Sequence, residues 1–108
     1  MSAYAAQATP SADLIYVEVP GTTAILGGRR GTVTALHHSP IDRSVDGAFI
    51  GWDDGGTAYV TTGRHAGELR RHGGYTHREV DAVRDIGRDE FDVLSGLAAM
   101  RTQLGWRA

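Results

Sequence analysis

The sequence predicts a small, mainly β domain with a helical tail, and three observations carry that reading. Short β-branched and aromatic runs are cut at regular intervals by glycine, with fifteen glycines in 108 residues. An Asp53-Asp54-Gly55-Gly56 hairpin signal sits between two such runs. After residue 75 the apolar spacing changes from two to between three and four. A chain of this length fits one folding unit, and its 41% apolar content suits a turn-rich fold with a modest core.

Residues 1–12 are small and polar without periodicity and are expected to be a disordered lead; the barrel is assigned to 13–75 and a helical tail packed on it to 76–108. Leu14 to Val19 is the first strand, with Ile15, Val17 and Val19 on one face and Pro20-Gly21 ending it. Residues 20–30 form a loop that closes on the Gly27–Gly31 turn. Thr32–Leu36, Ala48–Trp52 and Thr57–Thr62 are further strands, and a short fifth lies around Leu69. This makes four to five strands.

Thr76-His77-Arg78-Glu79 has the form of a capping box, in which hydroxyl and carboxylate satisfy the free N–H groups of a first helical turn. Val80, Val83 and Ile86 follow at helical spacing, with Gly87 as cap. A second segment sets Phe91, Leu94, Leu97, Ala98, Arg101 and Leu104 along one stripe, ended by Gly105. One or two C-terminal helices are therefore expected. Gly96 in mid-helix costs about 1 kcal/mol relative to alanine, so close packing or a break is expected there.

Composition removes several classes of function. Without cysteine there are no disulfides, thiolate metal sites or cysteine nucleophiles, and the cytoplasm is the default compartment. No apolar run long enough to span a membrane occurs, so no membrane partner is expected. All eleven basic residues are arginine, which fits the coding of a high-GC bacterium or its phage. A net charge of −2 argues against non-specific coating of nucleic acid. Charge is nonetheless segregated: 64–78 is arginine-rich and 79–92 acidic.

Catalytic motifs are missing: there is no Gly-x-Ser-x-Gly, no Gly-x-x-x-x-Gly-Lys and no His-Glu-x-x-His. The chain is read as no enzyme, with no cofactor. Asp53-Asp54 are explained by their turn. His37 and His38, adjacent in a strand, are expected to face opposite ways, and His65, His72 and His77 lack ligand spacing, so no metal site is assigned. Trp52 is either core or a stacking platform at a strand end, and Tyr59 can pair with Phe49 or Trp52 across the hairpin. Arg29, Arg30, Arg64, Arg70 and Arg71 are either solvated surface or a guanidinium cluster for phosphate or carboxylate.

The order of strand, Gly28-x-x-Gly31-Thr32-Val33 and Trp52-Asp53-Asp54-Gly55 resembles small SH3-like β-barrels of the KOW and Tudor-like kind, and short actinobacterial SH3-like domains of unknown function. The resemblance covers residues 14–72. It implies binding: an adaptor contacting nucleic acid, or a protein of the transcription, translation or defence machinery, through Arg29, Arg30, Trp52, Tyr59, Arg64, Arg70 and Arg71. The alternative is a structural or assembly protein, of a phage for example, that forms homo-oligomers through Phe91, Leu94, Leu97 and Leu104.

Overall fold

The computed structural model describes residues 14–62, 69–72 and 75–105, and within them the chain is mainly β with one C-terminal helix. The strands are β1 (Leu14–Val17), β2 (Thr23–Leu26), β3 (Arg29–His38), β4 (Val45–Trp52), β5 (Thr57–Thr61), β6 (Leu69–His72), β7 (Tyr75–Glu79) and β8 (Ala82–Asp85). They form one antiparallel sheet in the order β6-β7-β1-β2-β3-β4-β5-β8, curled into a half-barrel. Helix α1 (Arg88–Gln103) follows the last strand and packs on β3 and β5. The expected lead, residues 1–12, lies outside the described residues.

Eight strands stand where four to five are expected. β2 lies inside the expected loop of residues 20–30 and is joined to β3 by Gly27-Gly28, both at positive φ (61° and 83°), a two-residue hairpin in which Leu26 pairs with Arg29. The expected first tail helix is also β. Thr76 to Glu79 lies in β7, paired with β1, and Val83 lies in β8, paired with β5. Backbone groups along β1 and β5 need partners, and that demand outweighs a local capping pattern followed by a helical spacing of β-branched Val80, Val83 and Ile86. Val80 and Ile86, at the ends of this segment, are buried on opposite faces of the sheet.

Those two faces hold the core. Tyr16, Ala24, Leu26, Val33, Leu36, Ala48, Ile50, Trp52, Ala58, Val60 and Val80 fill one side. Ala35, Phe49 and Ile86 meet Phe91 and Ala98 of α1 on the other. A β-bulge between Val33 and Ala35 lets one strand serve both, because the extra residue turns Ala35 toward α1 while Val33 and Leu36 keep facing the first cluster. Gly31 is fixed by proximity: a Cβ there would stand 2.7 Å from the Gly51 carbonyl and 2.9 Å from Ile50 and Trp52. No described helix is long and apolar enough to cross a membrane.

Candidate functional site

The hairpin end of the sheet consumes part of its own chemistry. β4 delivers Trp52 into the first core cluster, and Arg29 lays its guanidinium 4.3 Å from the indole ring. The same guanidinium reaches Asp54 at 3.3 Å and Asp85 at 3.5 Å. Asp54 also accepts from the Gly56 N–H at 3.0 Å, and these contacts, the backbone one first, hold its carboxyl below the usual range. The Trp52 Nε1–H is buried with no hydrogen-bond partner among the described residues. Arg30 is exposed beside them.

Of the expected binding residues, those whose side chains are described are Arg29, Arg30, Trp52 and Tyr59. Trp52 and Tyr59 face opposite sides of the sheet, and Tyr59 pairs with Phe49, their ring centroids 4.9 Å apart. Arg70 and Arg71 are on β6, at the far edge of the strand order, and Arg64 lies outside the described residues. His65 lies outside them too. No group of three potential metal ligands occurs among the described residues.

A cavity of about 300 Å³ opens instead between α1 and the sheet, lined by His37, Phe49, Tyr59, Arg84, Leu94, Leu97, Ala98 and Arg101. Three strands position its polar wall. The β3–β4 register pairs His37 with Gly47, which sets Asp46 beside the imidazole, Nδ1 to Oδ1 being 2.6 Å. An Nδ1–H donated to that carboxylate leaves Nε2 as the ring nitrogen available to a ligand. The β5–β8 register sets Arg84 opposite Tyr59. Tyr59 stacks edge-on to His37 at 5.6 Å. Burial pushes its phenol up to about 12, reinforced by Asp46 and opposed by Arg84, so the hydroxyl stays protonated at neutral pH. Gly47 makes the room: a Cβ there would sit 2.6 Å from the Tyr59 hydroxyl.

The expectation that His37 and His38 diverge is corrected by a second register shift between them, after which both turn toward α1. His38 is buried, with Nδ1 2.9 Å from the Arg43 carbonyl and Nε2 3.2 Å from the Thr102 hydroxyl. It fastens the β3–β4 loop to the last turn of the helix. Sequence reasoning passed over His37, Asp46 and Arg84 as site residues, since only the strand registers bring them together.

The helix itself carries two apolar stripes where one is expected. Phe91 and Ala98 are buried against the sheet and Leu94 is half-buried. Val93, Leu97, Met100 and Leu104 remain 62%, 43%, 53% and 74% exposed. At about 100° per residue these four fall within one narrow sector opposite Phe91 and Ala98. Gly96 lies beside them in an unbroken helix, and a Cβ added there would meet nothing within 4 Å. Neither expected reason for that glycine is thus met among the described residues. Comparison with protein-family models, curated proteins and solved structures finds no significant match for this chain.

Proposed function

We propose that the chain is a non-enzymatic interaction domain that pairs with a second copy of itself through the outer stripe of α1. The observation that carries this reading is the stripe: four large apolar side chains at spacings of four, three and four, left exposed by a helix whose opposite face already holds it to the sheet. Such spacing is that of a helix-pairing seam. Charge favours an antiparallel second copy as the occupant. Glu90, in the first turn, and Arg101, in the last, lie on the same flank of the stripe at opposite ends. Two copies crossing near Gly96 bring Glu90 of each beside Arg101 of the other, as a two-fold axis requires. Gly96, open in the single chain, then lets the backbones approach.

The Gly27–Gly31 turn has less to recommend it as a nucleic-acid contact, because Arg29 is engaged by Asp54, Asp85 and the Trp52 ring. One helix from each copy is a small interface, so pairing is weak, with dissociation in roughly the micromolar range. Sedimentation velocity over a wide concentration range tests it. A monomer–dimer equilibrium is expected, abolished by Val93→Glu with Leu104→Glu, weakened by Glu90→Arg and restored by Glu90→Arg with Arg101→Glu. A wild-type chain that stays monomeric at the highest soluble concentration overturns the reading.

A further inference from the structure

We infer that the cavity between α1 and the β3–β4–β5 face binds a small organic anion, an apolar ring-sized body bearing one carboxylate, with the body on Phe49, Leu94 and Ala98 and the carboxylate at Arg84. Size sets the first limit. About 300 Å³ is at the small end of ligand pockets and takes a compact molecule, not a nucleotide or a peptide.

The lining sets the chemistry. Phe49, Leu94, Leu97 and Ala98 present hydrocarbon, and the polar groups His37, Tyr59, Arg84 and Arg101 share the remaining wall. Two guanidiniums stand there, and the carboxylate next to the cavity, Asp46, is already bound by His37 at 2.6 Å. Among the described residues Arg84 has no hydrogen bond or ion pair, whereas His37 on the same wall is held by Asp46. A guanidinium fork at the rim of an apolar recess matches a carboxylate in two parallel hydrogen bonds. The Tyr59 hydroxyl, a donor at neutral pH, supplies a further contact to the same oxygens. A cationic ligand would face the two arginines, and an inorganic anion would leave the hydrocarbon wall unused.

The binding needs no second copy of the chain; Leu97 and Arg101 line the cavity and also belong to the pairing surface, so titrations are run on Val93→Glu with Leu104→Glu, which is expected to be monomeric, and Arg84, on β8, reports on the cavity alone. Phenylacetate serves as probe, with phenethylamine as the cation of like shape and acetate and inorganic phosphate as anions without the body. Two-dimensional amide NMR of the full chain is expected to show saturable shifts at Phe49, Tyr59, Leu97 and Ala98 with phenylacetate and none with the three controls. Arg84→Gln, an exposed substitution, is expected to weaken phenylacetate about tenfold or more. Leu94→Trp, which fills the recess, should abolish binding with Arg84 intact. The inference is overturned if phenylacetate gives no saturable shift, if phenethylamine binds equally, or if Arg84→Gln leaves affinity unchanged.

Discussion

Replacing Phe91 with alanine tests whether the inner stripe of α1 is the part that holds the helix to the sheet. The Phe91 ring is buried, edge-on to Phe49 at 6.1 Å and 78°, with the Arg88 guanidinium 5.6 Å above it. Truncating a buried phenylalanine costs about 3–5 kcal/mol, combining lost burial with the cavity left behind. Alanine returns roughly 0.5 kcal/mol through its better helix propensity, which leaves a loss of about 3 kcal/mol. A domain with a total stability of about 5–15 kcal/mol registers that clearly. Urea denaturation followed by far-ultraviolet circular dichroism, in protein dilute enough to be monomeric, measures it. Val93→Ala is the matched control: its side chain is 62% exposed on the opposite face, and the change stays within about 0.5 kcal/mol. A cost below about 1 kcal/mol for Phe91→Ala, or equal costs for the two variants, would refute the division of α1 into a holding face and a free face.

Further outcomes follow from single contacts. Tyr16→Phe should stabilise the fold by about 1 kcal/mol in thermal melts, because its buried hydroxyl has no partner among the described residues. Burial raises the phenols of Tyr16 and Tyr59, so stability should be full below the ordinary phenol value near 10 and fall as pH rises past it toward the raised folded values. Alkaline denaturation should then be milder in Tyr16→Phe, and an unchanged alkaline limb would count against burial as the cause. Gly96→Ala should raise the melting temperature of the monomer by the equivalent of about 1 kcal/mol while weakening self-association. Glu18 and Arg78 form a 3.0 Å pair at low exposure, so Arg78→Met, which leaves the carboxylate alone, should cost about 2–4 kcal/mol and Glu18→Gln with Arg78→Met less than that.

How much of the fold could be read in advance depended on whether its pattern was local. Ala48–Trp52, the Asp53–Gly56 turn and Thr57–Thr61 were legible because a hairpin writes its alternation and its turn residues into one short stretch. The strands β7 and β8 were not, because β7 depends on β1 some sixty residues away and β8 on β5, and the local residues offer a capping box instead. β2 was hidden for a different reason. Its buried Ala24 and Leu26 alternate as a strand should, but a four-residue strand beside three nearby glycines reads as a loop.

The site was less legible than the fold, and the two β3 register shifts explain why. Strict alternation along β3 would put His37 and His38 on opposite faces and Ala35 on the same face as Val33. Each shift reverses that parity once. After the first, Ala35 can lie under α1 with Phe49; after the second, His38 reaches Thr102 while His37 lines the cavity. A recess with one arginine from β8, one tyrosine from β5 and one histidine from β3 is therefore a property of register, and no window of the chain contains it. The outer stripe is the opposite case. Val93, Leu97, Met100 and Leu104 stand within twelve consecutive residues, and only the choice between Phe91 and Val93 as the leading member decides which stripe is seen. Phe91, the larger ring, leads the stripe that faces the sheet, so the free stripe emerges only once that packing is known.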